Sequence, residues 1–176
     1  MRKKVIGFLS FGLIVVVLIG AMKLVDWVPS AVQSGFVEEF RSIDEVTSRL
    51  KITDIYIPSY FPQNFKWPPT VILAQTKPYT AIVMEFRDVT RGDVGLTISQ
   101  VDAGARFISD DKIGMSQIRE QVSYPLKGRN ASLEVGADSN DEPCSRISWI
   151  EGKYRITVAM RSRPFELLKI AESMLR

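Results

Sequence analysis

Ser148–Leu175 reads SWIEGKYRITVAMRSRPFELLKIAESML, and its two halves demand different backbones. From Ser148 to Met160, β-branched and aromatic residues alternate with polar ones on either side of Gly152. A period of two specifies strands, and a glycine between them supplies the positive φ of a tight hairpin. Strands are therefore predicted over 145–151 and 153–160. After Arg163 the period lengthens. Pro164 suits a first helical turn, and Phe165, Leu168, Ala171, Met174 and Leu175 are expected to share one helical face. A hairpin followed at once by an amphipathic helix calls for a sheet that the helix can cover.

The same two-residue period extends upstream to Ile52, broken by Pro, Gly and Asn turn signals. It predicts strands over 53–57, 70–76, 79–87, 94–101, 116–124 and 131–136. Before them, Val32, Phe36, Phe40, Ile43, Val46 and Leu50 fall at helical steps of three or four. Gly35 weakens that stripe, and Ser42-Ile43-Asp44-Glu45 has the S-x-x-E form of a capping box. A linker helix that restarts as a firmer helix over 43–50 is the expectation. Strands in succession with a helix at each end give an α+β class over residues 42–176: an antiparallel β-sheet, a short N-terminal helix and a C-terminal amphipathic helix packed on the sheet.

Residues 5–22, VIGFLSFGLIVVVLIGAM, contain no charge. As a helix at about 1.5 Å per residue they would cross roughly 27 Å of hydrocarbon. A single transmembrane helix is predicted over 5–25, with Lys23 and Trp27 at the membrane interface and a juxtamembrane linker or helix over 26–41. Arg2, Lys3 and Lys4 keep residues 1–4 in the cytoplasm, which puts residues 42–176 in the periplasm or outside the cell. A cleavable signal peptide is the competing reading. The apolar run is longer than the ~7–15 residues usual for one, and Ile19-Gly20-Ala21 makes a poor cleavage site.

Composition removes several function classes. The 176 residues include no histidine and one cysteine, which excludes a Ser-His-Asp triad, a Cys-His dyad, a His-ligated zinc site and an internal disulfide. Setting aside Arg2, Lys3, Lys4 and Lys23 leaves 19 basic residues against 20 acidic ones, so the basic character belongs to the anchor. The outer domain lacks the concentrated cationic face that nucleic acid requires. No cofactor is implied and no metal site is predicted: Asp138, Asn140 and Glu142 alternate like the opening of a calcium loop, but Pro143 and Trp149 stand where glycine and glutamate are needed. They read as a solvated turn. Cys144 has no histidine or second cysteine to activate it and reads as a small buried hydrophobe. Asn130-Ala131-Ser132 forms a glycosylation triplet that also occurs by chance.

The segment rich in chemistry is Tyr56–Tyr79, where Tyr56, Tyr60, Phe61, Phe65, Trp67 and Tyr79 are interleaved with Pro58, Pro62, Pro68, Pro69 and Pro78. Proline stiffens such a loop, and rigid rings present contact area at low entropic cost. Tyr60, Phe61, Phe65 and Trp67 are the candidate partner- or ligand-binding residues, with Val28 to Phe40 as a secondary contact. The competing reading is that half of these rings fill the core, with Trp67 the one most exposed.

Ser42–Phe65, with its S-x-x-E helix and the pair Pro58 and Pro62, and Ser148–Leu175, with Trp149, Gly152, Tyr154 and LLKIAESM, resemble a bacterial extracytoplasmic domain of unknown function. That domain is found attached to anti-sigma factors and to proteins similar to lipoprotein-sorting carriers. Asn64 stands where the family has glycine, a position that tolerates a left-handed backbone. The resemblance implies an outer sensing, binding or structural module and brings no catalytic residues. With only Met1–Lys4 on the cytoplasmic side, the chain cannot hold a sigma factor. The expectation is a non-enzymatic, membrane-anchored accessory or protein-interaction subunit of a bacterial envelope complex. The alternative is a carrier or sensor for a lipid or small apolar ligand.

Overall fold

The computed structural model describes residues 37–105 and 112–175. The predicted transmembrane helix over 5–25, the interface residues Lys23 and Trp27, and all but the end of the 26–41 linker lie outside the described residues. Among the described residues no helix is long and apolar enough to cross a membrane.

The described residues form eight strands and two helices in the order β1 (Glu38–Phe40), α1 (Ile43–Leu50), β2 (Val71–Gln75), β3 (Ala81–Arg87), β4 (Val94–Asp102), β5 (Gln117–Leu126), β6 (Arg129–Ala137), β7 (Pro143–Glu151), β8 (Tyr154–Met160) and α2 (Pro164–Ser173). They form one antiparallel sheet ordered β1-β2-β3-β4-β8-β7-β6-β5. Two meanders, β1–β4 and β5–β8, thus meet along β4 and β8, where Ile98 opposes Val158 and Asp102 opposes Tyr154. The α+β class, an antiparallel sheet with two helices, is as expected, although β1 precedes α1.

One sheet face carries the core. Ile72, Ile82, Met84, Phe86, Leu96, Ile98, Ile147, Trp149, Ile156 and Val158 form it with Val46 of α1 and Leu167, Ile170 and Ala171 of α2. At about 25 cal/mol per Å² of apolar area removed from water, burying each such side chain contributes on the order of 2 kcal/mol. Two turns are set by local chemistry. Glu151 opposes Tyr154 across Gly152, whose φ is 58°. Leu126 opposes Arg129 across Lys127 and Gly128, with φ of 44° and 82°.

Three expectations require correction. The helical stripe before Ser42 is not continuous at its end, because Glu38–Phe40 pairs as a strand with Ile72–Ala74. Cross-strand pairing, which buries Phe40, overrides the helical spacing there. Residues 53–57 form no ladder with a strand. The helical face of α2 is also rotated from that expected: Leu167, Ile170, Ala171 and Met174 point inward and Phe165 is 67% exposed. Spacings of three, one and three from Leu167 keep four side chains over the sheet, which Phe165 cannot match.

Candidate functional site

The aromatic segment leaves α1 through Lys51, whose left-handed backbone (φ 60°) ends the helix. It then passes β4, where the buried Gln100 takes the place of a partner strand. Tyr56 N–H donates to Gln100 Oε1 at 3.0 Å, and Gln100 Nε2 donates to the Asp54 carbonyl at 2.6 Å. One side chain satisfies a donor and an acceptor of the crossing segment.

Beyond Ile57 the segment docks on α2. Ser59 Oγ donates to the Ser173 carbonyl at 3.1 Å, and Tyr60 N–H donates to Ser173 Oγ at 3.2 Å. Tyr60 OH donates to Glu166 Oε2 at 2.6 Å. This bond raises the Tyr60 hydroxyl above its ordinary pKa and, ahead of Lys169, lowers the Glu166 carboxyl. Lys169 Nζ lies 3.0 Å from Glu166 Oε1, 4.2 Å from the Phe165 ring centre and 5.8 Å from that of Tyr60. The ammonium therefore links two rings by cation–π contact.

Phe61 continues the line, half-buried, with its ring centre 6.1 Å from Trp67 and 5.2 Å from the buried Phe86. Trp67 is 46% exposed and precedes a cis Pro68. Phe61 and Trp67 are thus in ring contact, while Tyr60, next to Phe61 in the chain and 37% exposed, turns to α2. Phe65 does not join them: it is 5% exposed, and its ring occupies the space beside Gly95 where a side chain would otherwise sit. Its assignment as a contact residue is corrected to core packing, since the Phe65 N–H donates to the Pro62 carbonyl and the turn swings the ring inward.

Phe165 and Val89 belong to the same end of the molecule and were not expected as surface residues. Val89 is 55% exposed in the β3–β4 turn, and its N–H donates to the Asn64 carbonyl at 3.0 Å. Asn64 does not use a left-handed backbone. Its Nδ2 instead donates to Asp88 Oδ2 at 2.6 Å, while the N–H groups of Thr90 and Arg91 donate to Oδ1. Burial alone would raise Asp88, but these donors outweigh it and hold the carboxyl below its ordinary value. The aspartate thereby fastens the β3–β4 turn to the aromatic segment.

Two cavities lie elsewhere. One of about 550 Å³ is lined by Gln121, Ser123, Asn130, Ser132, Ser148 and Arg155, among others. The second, about 470 Å³, lies between residues 53–57 and the Arg129–Glu151 ion pair, whose two hydrogen bonds are each 2.9 Å. Among the described residues no group of His, Cys, Asp or Glu side chains could hold a metal ion. The Asp138–Glu142 segment is a turn in which Asp138 Oδ1 accepts from Asn140 and Glu142 N–H groups. Cys144 is buried beside Ile113 and Ala159. No protein-family model, curated protein or solved structure matches the chain.

Proposed function

We propose that this chain is a non-enzymatic, membrane-anchored accessory subunit of a bacterial envelope complex, whose extracytoplasmic α+β domain binds a protein partner. The observation that carries this reading is the aromatic strip in which exposed Tyr60 and Trp67 flank the half-buried Phe61, with Phe165 joined to Tyr60 across Lys169. Aromatic rings already packed against one another, with Tyr60 held by its hydrogen bond to Glu166, lose little freedom on contact, the property of interface anchors. The apolar run Val5–Met22 and the flanking charges of the sequence support anchoring in the cytoplasmic membrane. Anchoring raises the local concentration of membrane partners, so modest affinity suffices. For the carrier alternative the two cavities are mixed in character, polar groups standing beside Val122, Trp149 and Ile150 in one and beside Ile55, Ile57, Met174 and Leu175 in the other.

Phe61 rests on the core residue Phe86, so its removal would mix folding with binding. Trp67 also lies 6.4 Å from Phe86, so Trp67→Ala is read beside the melting temperature, and Phe165→Ala, at 67% exposure, is the cleaner variant. In mild detergent the full-length chain is expected to co-purify with a defined membrane protein, and the double variant to lose it while keeping its melting temperature within a few degrees. Recovery of the wild-type chain alone overturns the proposal.

A further inference from the structure

The two edges of the sheet differ in what they offer to a passing strand. β1 is three residues long and offers little. β5 is ten residues long, pairs among the described residues with β6 alone, and is exposed from Gln117 to Ser123. An open edge of that length is a template for one more strand.

The hairpin decides which backbone groups this edge presents. With Lys127 and Gly128 as a two-residue turn, Leu126 and Arg129 exchange backbone hydrogen bonds, and the exchange recurs at every second pair. Tyr124 and Val122 therefore bond to β6, while the N–H and C=O of Ser123 and Gln121 point outward. Pro125, also at an outward position, has no N–H to give. On the other side of this window Arg119 has no partner in β6, because the ladder slips between Ile118 and Glu120. The usable edge is thus 121–123, bounded by a proline and a bulge. Side chains alternate with the same period. Val122 and Tyr124 oppose Leu133 and Ala131 on the core face, whereas Gln121 and Ser123 oppose Glu134 and Ser132 on the other.

We infer that the strand added to β5 is the β5 of a second copy of this chain, antiparallel and centred on Val122. In that register Gln121 of each copy opposes Ser123 of the other, and the outward N–H and C=O groups of both residues are satisfied. Pro125 of one copy then faces Arg119 of the other, so the missing donor falls where the ladder is already broken. The side chains match as well. Val122, 39% exposed in the single chain, meets its own counterpart and carries the apolar face across the two-fold axis. The Gln121 amide meets the Ser123 hydroxyl, and the Glu120 carboxylate meets the Tyr124 phenol. No like charges oppose each other along these pairs, and Arg119 is bound to Asp141 within its own chain. A strand of another protein could use Gln121 and Ser123, but an unbroken one would set a carbonyl against Pro125 with no donor to meet it. The second copy brings its own break to that position.

Cysteine cross-linking of the full-length chain, in membranes of the cells that make it, tests the pairing. Cys144 is buried, so Val122→Cys supplies the reacting thiol. The axis puts the two copies of residue 122 in a pair that exchanges no hydrogen bonds, with Cα atoms about 4.5 Å apart, a spacing that a disulfide spans. Oxidation with copper–phenanthroline is expected to link Val122→Cys into a dimer about tenfold more efficiently than Ile150→Cys, which is exposed on β7, away from the edge. Chains carrying Gln121→Cys and Ser123→Cys, produced together, should link to each other more than either links to itself. Stronger self-linking at Gln121→Cys or Ser123→Cys than in the mixture overturns the register and with it the inference. So does the absence of a Val122→Cys dimer, a yield no higher than that of Ile150→Cys, or a cross-link from Val122→Cys to a different protein. The accessory-subunit reading does not rest on β5 and survives each of these results, whereas a dimer recovered with no other protein overturns that reading and leaves this inference standing.

Discussion

Gln100 shows how much one side chain can hold. It is 1% exposed and joins the 53–57 segment to β4 through both atoms of its amide. Gln100→Leu would fill the same space but leave Tyr56 N–H and Asp54 C=O without this partner. At ~1–3 kcal/mol for each buried group left unpaired, the variant should lose about 2–4 kcal/mol in denaturant unfolding, with an unchanged m-value. A loss below about 0.5 kcal/mol would show that water replaces the amide freely. Glu166 makes a second prediction at this scale. Its folded pKa lies below the ordinary 4.5 because Tyr60 donates to it, and after that because Lys169 does. A depressed carboxyl contributes stability in full above its unfolded pKa and loses it as pH falls through the folded value. The Tyr60 ring should therefore loosen from α2 only in acid below about pH 4.5, followed by its NMR line widths. Glu166→Gln should abolish that acid step.

Elements show why local pattern and tertiary pairing part company. The two-residue period identified seven of the eight strands to within about two residues at each end, because alternation toward a single covered face is a local property. It also marked 53–57, which forms no strand: Ile55 N–H bonds back to the Thr53 carbonyl, and a glutamine distant in sequence takes the partner strand's place, neither of which the pattern can reveal. In α1 the capping box was legible in Ser42 and Glu45, since Glu45 N–H donates to Ser42 Oγ at 3.2 Å. The return bond is shifted by one residue: Arg41 N–H, not that of Ser42, donates to Glu45 Oε2 at 3.0 Å. Burial of Phe65 and exposure of Phe165 were not legible, because both depend on which way a turn or a helix is rotated against the sheet. The β5–β6 hairpin offers a prediction of its own. Lys127 sits at φ 44° beside Gly128 at 82°, the pair of positive values for which Asn-Gly is preferred. Lys127→Asn should stabilise the domain by about 0.5–1 kcal/mol, read as a rise in melting temperature. A fall would mean that the lysine side chain compensates for its backbone.

At the scale of the whole molecule, the strand order sets a polarity. The strand register gathers the aromatic segment, the β3–β4 turn and the start of α2 at one end of the sheet, where β2 and β4 begin and β8 ends. The proposed binding role rests on the premise that Val5–Met22 holds the domain at the outer surface of the membrane. This premise can be tested with the protein's own chemistry. Cys144, the single cysteine, is fully buried, so the wild-type chain should not react with a membrane-impermeant maleimide. Ser139 is exposed in the β6–β7 turn, and Ser139→Cys should be labelled in intact spheroplasts as fully as after detergent lysis. The labelled protein should remain with the membrane through an alkaline carbonate wash, as a helix crossing the bilayer requires and a surface-bound domain does not. Labelling that appears only on lysis would place the domain in the cytoplasm. Release by carbonate would remove the tether, and with it the argument that weak contacts along the aromatic strip suffice for binding.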